Sequence, residues 1–230
     1  MAAPTVVFDL DGTLVDTAPD LVATLNVILG RLDLPPVAFA AARNMVGGGA
    51  RAMIERGLAA EGRNLATPEV DGLVKDFIAH YGAHIADRSL PFAGLAAALD
   101  ELAAAGCCLA VCTNKLEWLS VRLLDALDLS PRFAAICGAD TFGLQKPAPE
   151  LLQRTIARCG GHATHAVMVG DSISDIAMAK AAGLPVVAVD FGYSEIPVTE
   201  LGPDKVISAL GDLPAAVFGL LGPERIARTG

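Results

Sequence analysis

The sequence predicts an α/β fold in which a parallel sheet, covered by helices on both faces, carries an inserted helical module. Three observations predict it. Short apolar runs alternate with amphipathic helical segments along most of the 230 residues, the pattern of parallel strands joined by helical crossovers. Residues 18 to 88 break that alternation, because they carry helix signals and no strand signal, and a connection so long is not a structureless loop in a compact domain. Two apolar runs also stop abruptly at acidic residues beside glycine, in Asp9-Leu10-Asp11-Gly12-Thr13 and in Gly170-Asp171. The carboxyl ends of strands are where open α/β sheets bind ligands.

The elements follow in order. A first strand over residues 5 to 9 is the β-branched and aromatic run Thr5-Val6-Val7-Phe8, ended by Asp9. Helices are expected over Asp20 to Arg31, Pro36 to Val46, Gly49 to Glu61 and Pro68 to Ala86, with linkers near Val15 to Ala18 and Ser89 to Gly94. Further strands are expected at residues 108 to 113, 134 to 137, 166 to 170 and 185 to 189, with a short last strand at 205 to 207. A helix from Ile176 to Ala182 follows the fourth of the six strands and closes at Gly183.

Composition limits the function classes. With 53% hydrophobic and 19% charged residues the chain buries a sizeable core, as one large domain or a core with a smaller insertion. A net charge of −9 argues against nucleic acid, which needs a basic surface. No apolar stretch approaches the roughly 18 residues of a membrane span, and the N-terminus lacks the segments of a secretory signal. Cys107, Cys108, Cys112, Cys137 and Cys159 are odd in number and lie mostly in apolar runs, which reads as reduced core thiols of a cytoplasmic protein. His80 and His84, four apart on one helix, lack a third ligand nearby and read as packing or surface residues.

Four strand or helix boundaries carry chemistry. Asp9 and Asp11 emerge from the first strand, and Asp171 ends another in the same way; oxygen ligands converging from two strand ends suit a hard cation such as Mg²⁺. Asp175 falls near a helix start, where a carboxylate also serves as a cap. Thr113 and Asn114 offer a hydroxyl and an amide suited to a phosphoryl oxygen. Lys146 precedes Pro147 and a helix opened by Pro149. Each of these also has a structural reading as a turn, a cap or a solvated charge.

Taken together and in this order, Asp9-Leu10-Asp11-Gly12-Thr13, Thr113-Asn114, Lys146-Pro147 and Gly170-Asp171 through Asp175 resemble the four motifs of the haloacid dehalogenase superfamily over the whole chain. The resemblance implies a Rossmann-like core, residues 1–15 and 92–230, with a helical cap domain over residues 16–91. It implies Asp9 as the nucleophile of an aspartyl-phosphate and Asp11 as general acid, then base. Lys146 would offset charge, and Thr113, Asn114 and Lys146 would bind the phosphoryl group. Mg²⁺ would be held by Asp9, Asp171 and the backbone carbonyl of Asp11, with Asp175, Ser172 and Thr13 behind them. Aspartate at position 11 points to phosphoryl transfer rather than dehalogenation, since a departing halide needs no proton. The phosphonatase branch needs a cap lysine that forms a Schiff base, and the surroundings of Lys75 give no sign of one.

The substrate is expected to be set by the cap. The turn Gly47-Gly48-Gly49 before Arg51 lets backbone approach a ligand, with Gly48 and Arg51 as expected substrate contacts and Arg51 pairing with a second anionic group. Within the family, Thr113-Asn114-Lys115, the Leu123-Leu124-Asp125-Ala126-Leu127 helix and Phe191-Gly192-Tyr193-Ser194-Glu195 with Leu201-Gly202-Pro203-Asp204 are similar to bacterial phosphoglycolate phosphatases. The expected reaction is therefore Mg²⁺-dependent hydrolysis of a small anionic phosphoester, 2-phosphoglycolate first. A pyrophosphatase, a sugar phosphatase and a β-phosphoglucomutase-like transferase are alternatives, and a non-catalytic binding module is the reading from another class. No nucleic acid or membrane partner is expected, and a homodimer is left open.

Overall fold

The computed structural model describes residues 3 to 222. Six parallel strands form its main sheet: β1 (Thr5–Phe8), β4 (Cys108–Cys112), β5 (Ala135–Cys137), β6 (Ala166–Gly170), β7 (Val186–Val189) and β8 (Lys205–Ile207). They lie in the order β5-β4-β1-β6-β7-β8. The chain winds outward from β1 through β4 to β5, then crosses back to β6 on the other side of β1. The winding reverses between β1 and β6, and the crevice at such a reversal is where open α/β sheets bind ligands.

β1 is central because both faces of its sequence are apolar. Val6 and Phe8 join one buried cluster and Val7 the other, as the two-residue side-chain period requires. Phe8 is paired in register with Val111 and Val169, and its ring meets Phe133 edge-on at 6.2 Å. Truncating such a buried ring to alanine costs about 3–5 kcal/mol, so Phe8 anchors the strand that presents Asp9. Helices α5 (Leu95–Ala104) and α9 (Leu213–Leu221) bury leucines in the first cluster, while α7 (Pro149–Arg158) buries Leu151, Leu152 and Ile156, and α8 (Ile173–Ala181) buries Ile176, Met178 and Ala179, in the second. Helix α6 (Glu117–Ala126) follows β4.

The insertion is helical: α1 (Ala18–Gly30), α2 (Phe39–Arg43), α3 (Gly49–Ala60) and α4 (Thr67–Ala83). Chain exit and return are paired, because β2 (Val15–Asp16) runs antiparallel to β3 (Leu90–Pro91). Asp20 reinforces that junction: its Oδ2 accepts hydrogen bonds from the backbone of Arg88 and Ser89 and from the Ser89 hydroxyl, at 3.0, 2.8 and 2.7 Å. Two helices depart from expectation. The expected helix Pro36 to Val46 shrinks to five residues, because Val37 exchanges hydrogen bonds with the Asn26 side chain and holds the segment after Pro36 extended. The helix expected from Ile176 starts at Ile173, since Ser172 and Asp175 close a capping box that adds a turn.

All five cysteines are free thiols, with Cys107, Cys112 and Cys137 buried. Burial pushes the Cys112 thiol up to about 12, so it packs as an apolar residue. No helix among the described residues is long and apolar enough to cross a membrane.

Candidate active site

Asp9 leaves β1 with its amide bonded to the carbonyl of Val169 at 2.9 Å, and Asp171 leaves the neighbouring β6. Parallel pairing therefore delivers two carboxylates to the same edge. Asp175 on the first turn of α8 completes a buried group in which one oxygen from each acid lies within 4.8 Å of the others. Backbone closeness holds Asp171 in place. Its Oδ1 accepts from the Thr13 hydroxyl at 2.9 Å and its Oδ2 from the amide of Tyr193 at 2.7 Å. Gly12, at φ +83°, and Gly192 pass so near that an added Cβ would lie 2.5 Å and 2.3 Å from Asp171 Oδ2; only glycine fits either turn.

The electrostatics follow from burial. Desolvation pushes Asp9 up to about 7, against the pull of Lys146 and with the help of Asp175. Asp171 is pushed up to about 8 by burial, then by repulsion from Asp9 and Asp175. Lys146 ties the group together, its Nζ standing 2.7 Å from Asp9 Oδ1 and 2.6 Å from Asp175 Oδ1. Burial works to lower the Lys146 pKa, yet Asp175 and Asp9 outweigh it and hold the ammonium well above its ordinary value. Once ionised, three carboxylates outnumber the one ammonium in this buried site, and an all-oxygen donor set of that kind fits a divalent cation. Asp175, expected behind the ligands, is as close as the other two. Asp11 differs again, for its carboxylate does not join the group.

Asp11 instead faces Thr17 and Lys115, with Oδ1 accepting from the Thr17 hydroxyl at 2.7 Å and from Lys115 Nζ at 2.8 Å. Lys115 also donates to the Tyr81 hydroxyl of α4 at 3.1 Å. Thr113 accepts from the Lys115 amide at 3.2 Å, which leaves its own O–H to donate. Asn114 bridges, its Oδ1 accepting from the Lys146 amide at 2.8 Å and its Nδ2 donating to the Gly47 carbonyl at 3.3 Å. One side chain thus joins the lysine turn to the glycine turn before α3.

Asp9, Asp11, Thr113, Asn114, Gly48 and Arg51 all border one cavity of about 400 Å³ between α3, α4 and the strand ends. A larger open groove of about 700 Å³, lined by Glu117, Trp118 and Arg122, contains none of them. Gly48 caps α3, where an added Cβ would approach Ala52 Cβ at 2.9 Å. The geometry disfavours the expected role of Arg51: its exposed guanidinium is taken by Asp71 and, at 3.5 Å, by Glu55. The Ser172 and Thr13 hydroxyls donate to Asp175 and Asp171. Lys75 is not among the cavity's lining residues, and His80 and His84 stack on each other at 4.6 Å.

Four residues without a sequence-derived role belong to the site: Lys115, Tyr81, Thr17 and Tyr193. Tyr193 donates to Asp16 at 2.6 Å and accepts from the Ala18 amide at 3.0 Å, pinning the junction beside Asp171. Lys115 had a visible signal, a cation continuing the polar run after a buried strand. Tyr81 had none, being one apolar-face residue of a helix among several.

Comparison with known proteins agrees with the geometry. The family described as haloacid dehalogenase-like hydrolase matches residues 6–189. The chain is 51% identical to the phosphoglycolate phosphatase of Caulobacter vibrioides over 94% of its own length and 92% of the relative's. It is equally identical to that of Mesorhizobium japonicum, over 90% and 92%. The crystal structure of a predicted phosphoglycolate phosphatase from Haemophilus somnus superposes with a TM-score of 0.85 at 27% identity, covering 93% of this chain and 97% of that one.

Proposed function

This chain belongs to the haloacid dehalogenase-like hydrolase family, and from that premise we propose that it hydrolyses 2-phosphoglycolate to glycolate and phosphate, with Mg²⁺, through an aspartyl-phosphate on Asp9. The observation that carries the reading is the separation of two carboxylates on one turn. Asp9 sits in the acidic group against Lys146, while Asp11 is held apart by Thr17 and Lys115. Nucleophile and proton carrier need such different surroundings.

Asp9 Oδ1 accepts from the Leu10 amide at 2.7 Å and from Lys146, so Oδ2 is the attacking oxygen. It forms a bond to phosphorus as the bond from phosphorus to the glycolate oxygen breaks, and Asp11 gives that oxygen a proton. Water then attacks the same phosphorus, Asp11 takes its proton, and phosphate leaves with Asp9 restored. Thr113 and Asn114 orient the phosphoryl oxygens, and Lys146 holds Asp9 and Asp175 in line. Asp9, Asp171 and the backbone carbonyl of Asp11, with Asp175 beside them, would hold the magnesium ion, which when bound supplies positive charge to the phosphoryl oxygens.

The helices of residues 16–91 act in this reading as a cap over a core of residues 1–15 and 92–230, excluding water from the cavity. Five free thiols support a reducing, cytoplasmic setting. A phosphate-release screen over small phosphoesters with Mg²⁺ tests the reaction. It should rank 2-phosphoglycolate above pyrophosphate and sugar phosphates and lose all turnover with a chelator. Product isomerisation outrunning phosphate release would reject hydrolysis.

A further inference from the structure

Two cations border the cavity, Arg51 and Lys115, and the fold treats them in opposite ways. Arg51 is exposed and committed to Asp71 and Glu55. Lys115 is 8% exposed, and its ammonium is fixed by Asp11 Oδ1 at 2.8 Å and the Tyr81 hydroxyl at 3.1 Å, over a ring whose centroid is 4.5 Å away. An ammonium has three N–H donors, so one is left over. In 2-phosphoglycolate a single CH₂ separates the ester oxygen from the carboxylate. With Asp11 at the ester oxygen, the cation that reads the carboxylate has to lie beside Asp11, which Lys115 does.

Resting on the substrate reading above, we infer that Lys115, steered by Tyr81 of α4, receives the substrate carboxylate on its third N–H and selects phosphoesters with an anionic group one carbon from the ester oxygen. Tyr81 accepts from Lys115, so its own O–H is available to the same carboxylate. A substrate lacking the carboxylate fills the phosphoryl site yet leaves the third N–H of Lys115 without a partner from the substrate.

The test compares kcat/KM for 2-phosphoglycolate and its uncharged amide, 2-phosphoglycolamide, in the Mg²⁺-loaded protein and in Lys115→Met, Lys115→Gln, Lys115→Arg and Arg51→Ala. The wild type should prefer the carboxylate by about tenfold or more, the scale of a charged hydrogen bond. Lys115→Met, or Lys115→Gln where the first does not fold, should bring that preference to within about threefold, while Lys115→Arg and Arg51→Ala keep most of it. Equal losses on both substrates in the Lys115 variants, with the preference intact, would mean that Lys115 only positions Asp11 and would overturn the inference alone. A collapsed preference in Arg51→Ala would overturn it in favour of Arg51. A wild type with no preference would overturn the substrate reading and this inference together.

Discussion

Lys146 and Asp9 meet at 2.7 Å with almost no solvent on either side chain, 1% and 8% exposed. Among the described residues the ammonium is the one positive group in contact with the acidic group, since Lys115 is turned to Asp11. Removing it leaves three carboxylates facing one another in a dry site.

Lys146→Ala is therefore expected to lower both stability and turnover. Deleting one partner of a buried pair costs about 3 kcal/mol or more, read as a lower urea midpoint in metal-free protein. A divalent cation should restore part of the loss, because it takes over the neutralisation. A variant as stable as the wild type would show that Lys146 is dispensable to the group.

Asp9→Asn separates chemistry from folding. The amide keeps the shape and removes one of three repelling charges, so the urea midpoint of metal-free protein should not fall. Phosphate release should drop by roughly 10⁴-fold or more, the scale for loss of a nucleophile. Substantial residual turnover would remove Asp9 from the nucleophile's role.

Asp11→Asn should act through the leaving group. An alkoxide such as that of glycolate needs a proton, and a general acid supplies about 10²–10⁴ in rate. A nitrophenolate needs none, so formation of the aspartyl-phosphate from 4-nitrophenyl phosphate should be nearly spared. A burst of nitrophenol with slow later turnover is the expected trace, because the water attack still lacks its base. Equal slowing of the first step on both substrates would contradict the assignment.

The sheet was legible because its strands are apolar on both faces, and runs such as Ala166 to Gly170 have no other stable place in a chain of this composition. Asp9, Asp171 and Lys146 were legible because each follows such a run or opens a helix. Contacts made across the chain were not. Tyr81 reaches Lys115 only once α4 folds over the strand ends, and a tyrosine on the buried face of a helix looks like any core aromatic. Arg51 shows the converse. Its position beside a glycine turn was visible, whereas Asp71, twenty residues on and on another helix, was not a visible partner. The shortened α2 has the same origin, since Asn26 captures Val37 from a neighbouring helix.

The raised pKa values make metal binding a proton exchange. Burial pushes Asp9 up to about 7 and Asp171 up to about 8 in the metal-free fold, against 3.8 as the ordinary value. Between those limits the folded chain holds protons that the unfolded chain has lost, so metal-free stability falls as pH rises from about 4 through 8 and then levels. The cation requires both groups ionised, so its binding expels those protons and tightens over the same window. Melting temperatures with and without a fixed Mg²⁺ concentration should therefore diverge, the shift growing from pH 6 to pH 8.5, since stabilisation follows the ratio of ligand to Kd. Asp9→Asn should flatten the metal-free slope by removing one of the two titrations. A shift independent of pH, or a metal-free melting temperature that rises from pH 5 to 8, would show that these carboxylates are ionised before the metal arrives.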